Sequence, residues 1–142
     1  MRFLLDVNAL LALAVLEHEF HPRVASWVER LSARSVPDLA TCSITELGFV
    51  RVLGQAQQYG SSVAQARDLL LKLKNSSGIR CTFIPDDRDI SFLPRWVRTP
   101  KQTTDGHLAE LANANKAVLA TLDRRIPGAF VIPQSRHPTK EH

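Results

Sequence analysis

The chain carries only two cysteines in 142 residues, Cys42 and Cys81. Two thiols cannot build a disulfide framework or a zinc cage, so they read as core thiols in a reducing compartment. Long apolar runs are also missing. The longest, Ala9 to Leu16, is far shorter than the ~20 residues a membrane-crossing helix needs. Asp6 and Asn8 interrupt the apolar N-terminus, which excludes the continuous core of a signal peptide. There is no internal repeat and no low-complexity tract. The expectation is a soluble, cytoplasmic protein with no membrane partner.

Apolar residues make up 44% and charged residues 23%, ordinary usage for a globular domain. A single domain of this length hides about two-thirds of its unfolded surface and needs no staples. Eighteen Lys and Arg against fourteen Asp and Glu give a net charge of +4, which suits an anionic partner.

Phe3-Leu4-Leu5, ending on Asp6, reads as a buried strand, and Ala9 to Leu16 as a helix packed on most sides. Pro22 suits a first helical position, and Val24, Trp27, Val28 and Leu31 form one face of a second helix. Leu39 to Cys42 is a second strand, and Ser43 to Leu53 a helix. Ser61-Ser62 caps a further helix with Val63, Ala66, Leu70 and Leu73 inward. Arg80 to Pro85 is a third strand, Asp86 to Gln102 is irregular, and Asp105 to Lys116 is a helix. Ala117 to Thr121 and Phe130 to Ile132 complete the strands. Short apolar strands alternating with amphipathic helices predict an α/β domain with a mainly parallel sheet flanked by helices. It spans residues 1–132, followed by a polar, frayed tail over 133–142.

In such a sheet, ligands gather at the carboxyl ends of the strands. Four acids fall there or in the turn just beyond. Asp6 ends the first strand, Glu46 lies in the first turn after the second, Asp105 opens a helix, and Asp123 follows the fourth strand by two residues. Each also has a purely structural reading. Asp6 caps a helix, and Glu46 closes a capping box with Ser43. Asp105 favours a helix N-terminus, and Asp123 shapes a turn. Clustered, they would repel unless cations offset them. Hard carboxylate oxygens suit Mg²⁺ or Mn²⁺, ions shared with substrate phosphates. Setting the four aside leaves eighteen basic against ten acidic residues, a net +8 around an acidic pocket. That contrast suits an enzyme cleaving a polyanion.

Four segments, in order, resemble the PIN-domain ribonucleases, and among them the VapC-type toxins of toxin–antitoxin pairs. They are Leu4-Leu5-Asp6-Val7-Asn8-Ala9-Leu10, Ser43-Ile44-Thr45-Glu46-Leu47, Gln102-Thr103-Thr104-Asp105-Gly106-His107-Leu108-Ala109-Glu110-Leu111-Ala112 and Leu119-Ala120-Thr121-Leu122-Asp123. The likeness runs from Arg2 to about Ile132. It implies a PIN-like three-layer domain and a metal-dependent endoribonuclease, in which Asp6, Glu46, Asp105 and Asp123 are the catalytic acids that hold Mg²⁺ or Mn²⁺. Asn8 and Thr121 would support them by hydrogen bonds. Metal-activated water would hydrolyse RNA, leaving a 3′-hydroxyl and a 5′-phosphate. The resemblance further implies a tRNA or rRNA substrate, a cognate VapB-type antitoxin and a toxin homodimer.

Arg95, Arg98, Lys101, Arg124 and Arg125 sit in loops near Asp105 and Asp123 and are candidates for phosphate contacts, with solvated loops as the competing reading. Trp27 reads as core, and Trp96 as a loop anchor or a base-stacking platform. His107 is a satisfied half-buried residue or an RNA or metal contact. Asp86-Asp87-Arg88-Asp89 reads as a charge run at a helix start.

Two other readings compete. Asp6-Val7-Asn8 shares one acid with the Asp-x-Asp start of haloacid dehalogenase phosphatases, but Asn8 stands where their acid/base would be. In the other, a catalytically silent PIN-like module, the acids are only caps and the basic loops bind RNA.

Overall fold

The computed structural model describes residues 1–134. Five strands and five helices follow in the order β1 Arg2–Leu5, α1 Val7–Ala14, α2 His21–Ser32, β2 Asp38–Thr41, α3 Ser43–Gln55, α4 Val63–Lys74, β3 Arg80–Phe83, α5 Thr103–Ala114, β4 Ala117–Thr121 and β5 Phe130–Val131. All neighbouring strands are parallel, in the order β3-β2-β1-β4-β5. The expected α/β class and parallel sheet are therefore observed. Of the expected tail, Pro133 and Gln134 are described, and the remainder lies outside the described residues.

The three layers follow from the two-residue period of the strands. Phe3 and Leu5 join one core with Leu39 and Ala120, packed under α1, α2, α3 and α4. Leu4, Ala40 and Leu119, each one position out of phase, join a second core with Leu108, Leu111 and Ala112 of α5. Trp27 is core as expected, edge-on to Phe3 with ring centroids 4.9 Å apart, a geometry adding about 0.5–1.5 kcal/mol beyond burial. Cys42 is buried and Cys81 half-buried, both as free thiols.

Several helix limits differ from the sequence reading. The first helix starts at Val7 because Asp6 caps it, and Val15 is its C-cap, so Leu16 is 72% exposed. Pro22 is the second residue of α2 rather than the first. Val63 leaves the expected inward stripe, being the exposed first residue of α4 beside its Ser62 cap. The 86–102 stretch holds two single 3₁₀ turns, Ile90–Phe92 and Pro100–Gln102. Asp89 caps the first of them, and Asp86 accepts the Arg88 N–H, so that acidic run is turn chemistry.

Two close approaches set the position of the site. A Cβ on Gly48 of α3 would lie 2.6 Å from Val7 Cγ2, so only glycine lets α3 press this closely on the start of α1. A Cβ on Gly106 of α5 would lie 2.2 Å from Val97 Cγ2, so the 94–98 loop rests directly on that helix.

Candidate active site

Strand order reverses at β1: β2 and β3 extend to one side, β4 and β5 to the other. Such a switch point is where a parallel sheet opens a ligand crevice beyond its carboxyl ends. Among the described residues only four polar side chains are buried, and all stand at this edge: Asp6, Thr41, Thr45 and Thr121. A buried polar group is costly unless it is partnered, so their concentration marks a built site.

Asp6 leaves β1 with 7% of its surface exposed. Its Oδ1 accepts the Ala9 N–H at 2.8 Å, which makes it the N-cap of α1, as the structural reading held. Burial pushes its carboxyl above the ordinary value; the Thr121 hydroxyl and Ala9 amide oppose this, and the charges of Asp105 and Asp123 add to it. Asp105 occupies the first turn of α5. It too is raised, by burial and then by Asp123, with Arg125 opposing. Asp6 thus feels the charge of Asp105 and Asp123, and Asp105 that of Asp123.

Asp123 accepts the Arg125 backbone N–H at 2.9 Å, the turn role anticipated for it. Both of its oxygens also face the Arg125 guanidinium, each at 3.0 Å. Those hydrogen bonds hold Asp123 below the usual carboxylate range. Thr121 Oγ1 accepts the Asp123 N–H at 3.0 Å, so this one buried hydroxyl serves two acids.

Glu46 stands at the same edge one strand away, and its environment departs from the sequence reading. The capping box of α3 is made by other residues: Cys42 is the N-cap, and its N–H donates to Thr45 Oγ1 at 3.0 Å. Freed from capping, Glu46 accepts the Thr41 hydroxyl on Oε2 at 2.6 Å, and the same oxygen accepts Lys74 Nζ. Sequence reasoning missed both partners. Thr41 ends β2 as Thr121 ends β4, a parallel legible in the strand pattern. Lys74 lies 28 residues from Glu46, and no local signal joins them.

A cavity of about 210 Å³ is lined by Trp96, Lys101, Asp105, Asp123 and Arg125, among others. A second, about 380 Å³, is lined by residues that include Asn8, His18, Thr121, Asp123 and Arg125. The Asp123–Arg125 pair borders both. Asn8 is exposed there, and its side chain has no hydrogen-bond partner among the described residues. Of the expected RNA-contacting residues, Lys101 and Arg125 line a cavity with Asp105 and Asp123, and Arg125 pairs with Asp123. Arg95 and Arg98 are exposed on the adjoining loop, and Arg124 lies near Arg23. His107 pairs with Asp86 and clamps the loop after β3 to α5. Trp96 is half-buried against the second core, the anchoring role, while also lining the smaller cavity. A larger cavity of about 430 Å³, of mixed polar and apolar lining, lies beside α1, α3 and α4 and holds none of the four acids.

Among the described residues, no three His, Cys, Asp or Glu side chains are grouped to hold a metal ion as they stand. The donor set nevertheless suits one. Asp6 and Asp105 are hard oxygen donors whose charge is raised in cost by burial and by neighbouring carboxylates, the condition a divalent cation relieves. Arg125 would have to release Asp123. Its side chain is 88% exposed, so solvent already weakens that pair.

No family model matches the chain. Ribonuclease VapC38 of Mycobacterium tuberculosis is 38% identical over 140 residues, covering 96% of this chain and 93% of that protein. Ribonuclease VapC44 of the same species is 39% identical over 139 residues, covering 91% and 94%. In fold, the chain is similar to VapBC2 from Rickettsia felis bound to a promoter DNA fragment (TM-score 0.60, 18% identity, 92% of this chain and 97% of that one). It is equally similar to M. tuberculosis VapC20, a sarcin–ricin loop cleaving toxin (TM-score 0.60, 14% identity, 93% and 98%). With curated relatives at this identity over nearly its whole length, the chain belongs to the VapC family of PIN-domain ribonucleases.

Proposed function

We propose that this chain is the toxin of a type II toxin–antitoxin pair, an endoribonuclease that needs Mg²⁺ or Mn²⁺. The observation that carries this reading is the gathering of acids at the switch point of the sheet: Asp105 and Asp123 line one cavity, and buried Asp6 feels the charge of both. These three acids would hold the ion, with Glu46 completing the catalytic set. When bound, the ion supplies Lewis-acid chemistry: it makes water easier to deprotonate and offsets charge on a phosphodiester.

The chain's own residues do the remaining work. Thr121 orients Asp6 and Asp123 through its shared hydroxyl. Thr41 orients Glu46. Asn8 lines the cavity with Asp123 and makes no hydrogen bond to an acid among the described residues, so in place of the expected support it would contact water or RNA there. Lys101 and Arg125 border the acids and would hold phosphates flanking the scissile bond, positioning RNA without reading its bases. Arg95, Arg98 and Arg124 would extend that basic rim. Once Arg125 turns from Asp123 to a phosphate, its charge and an acid's lone pairs are released together.

The partners in this reading are an RNA such as tRNA or rRNA, a VapB-type antitoxin and a second toxin copy. One solved fold relative is a VapBC complex, which supports an antitoxin partner. No helix among the described residues is long and apolar enough to cross a membrane. The test is cleavage of total tRNA and rRNA by antitoxin-free protein with Mg²⁺, Mn²⁺ or EDTA, beside Asp6→Asn. Discrete metal-dependent cuts absent from the variant are expected. Folded protein that binds no Mn²⁺ and cuts nothing would favour the silent RNA-binding module.

A further inference from the structure

Lys74 is the last residue of α4, where a positive charge complements the helix dipole. Dipole complementarity alone does not account for its placement, since its neighbour Lys72 meets the same need while staying exposed. The Lys74 side chain is 22% exposed. Its Nζ donates to Glu46 Oε2 and lies 5.4 Å from the centroid of the Phe83 ring, on the edge strand beside β2. The same carboxylate oxygen also accepts the Thr41 hydroxyl at 2.6 Å. Glu46 therefore has one oxygen carrying two donors and another with no partner among the described residues.

The other cation at the site is held differently. Arg125 grips Asp123 with a side chain 88% exposed, which solvent can free at little cost. Lys74 is confined between a carboxylate and an aromatic face, with much of its chain entropy already lost. Arg125 must leave Asp123 when an ion loads, whereas Lys74 stays on Glu46 and cancels its charge, so Asp6, Asp105 and Asp123 remain to face the ion.

We propose that Lys74 is a fixed counter-cation for Glu46, a positioning residue that fills the Glu46 side of the acid group so that the chain loads a single divalent ion at Asp6, Asp105 and Asp123. The inference rests on the metal-dependent reading given above. Glu46 acts through one free oxygen, oriented by Thr41 and Lys74, and its charge is spent on the ammonium rather than on a second ion.

Mn²⁺ titration followed by electron paramagnetic resonance counts bound ions without reference to catalysis. The wild-type chain binds one. Lys74→Met, which keeps the side chain's length and its contact with Phe83, binds two. Lys74→Arg, which keeps the charge, binds one. Adding Glu46→Gln to Lys74→Met returns the count to one. In the wild-type background Glu46→Gln leaves Mn²⁺ affinity changed by less than the roughly tenfold that loss of a ligand's supporting contact costs. That last arm stands if Lys74→Met does not fold. Two ions on the wild type, one on folded Lys74→Met, or collapse of Mn²⁺ binding in Glu46→Gln would each overturn the inference while leaving the metal centre in place. No Mn²⁺ on any of the proteins would instead overturn the metal-dependent reading itself.

Discussion

Asp6 Oδ1 accepts the Ala9 N–H at 2.8 Å, so one carboxylate is both the N-cap of α1 and the most buried member of the acid group. Substitution separates the two roles. Asparagine caps a helix about as well as aspartate, whereas alanine loses the cap at about 0.5–2 kcal/mol. Asparagine also removes a buried charge repelled by Asp105 and Asp123. In EDTA, Asp6→Asn is expected to melt at or above the wild-type temperature and Asp6→Ala below it. Both lose RNA cleavage. Thermal melts beside a cleavage gel check this, and an Asp6→Asn protein melting well below wild type would contradict it.

The raised carboxyl of Asp6 fixes the sign of a pH effect. Between the ordinary carboxylate value of about 4 and its raised folded value, the folded chain holds a proton that the unfolded chain has released. Stability contributed by that group falls as pH rises through this window. Asp123, held low by Arg125, works oppositely, losing its contribution as pH falls below the ordinary range. In metal-free buffer the melting temperature of wild type relative to Asp6→Asn is expected to drop from pH 4 to pH 7. Mn²⁺ should reverse the drop at pH 7 and act weakly at pH 4. A difference independent of pH would show that Asp6 is not strained by its charge.

Thr121 is fully buried and shares one hydroxyl between the Asp123 N–H and the Asp6 carboxylate. Thr121→Val keeps the shape of the side chain and deletes that hydroxyl. The expected stability loss is about 1 kcal/mol, the net worth of a hydrogen bond. The activity loss should be larger, about 10–100-fold, because both acids lose the group that orients them. Equal small losses in both would assign Thr121 to packing alone.

Much of this was legible from the chain, because the signals were local. Strand ends, the cap at Asp6 and the turn at Asp123-Arg124-Arg125 are each set by residues within a few positions. The buried strand at Phe3-Leu4-Leu5 was legible too, and its two-residue period sends Leu4 to one core and Phe3 and Leu5 to the other. The environment of Glu46 was not legible. Its first-turn position matched a capping box with Ser43, but Cys42 is the N-cap of α3, so Thr45, one residue earlier, takes that role. Its true partner, Lys74, arrives only once α4 packs along α3, which a linear pattern does not encode. Nearness in sequence groups Lys101 and Arg125 with Arg95, Arg98 and Arg124, and the fold divides that group by which side chains line the cavity of Asp105 and Asp123.

Gly106 tests whether the loop bearing Trp96 is part of the site's architecture. A Cβ there would lie 2.2 Å from Val97 Cγ2 and 3.5 Å from Pro94 Cδ, with Leu93 also in contact. Alanine in a helix interior gains about 0.5–1 kcal/mol over glycine, while forcing a methyl into a packed contact costs about 1–3 kcal/mol. Valine is branched at Cβ and cannot swing away, so overpacking wins and the loop must move. Gly106→Ala is expected to lower the melting temperature by a few degrees. Because Trp96 and Lys101 line the cavity with Asp105 and Asp123, displacement should weaken RNA binding more than it slows the bound reaction. Steady-state cleavage separates the two: KM rises while kcat holds. A fall in kcat with KM unchanged would mean that the loop transmits its shift to Asp105 instead of to the RNA.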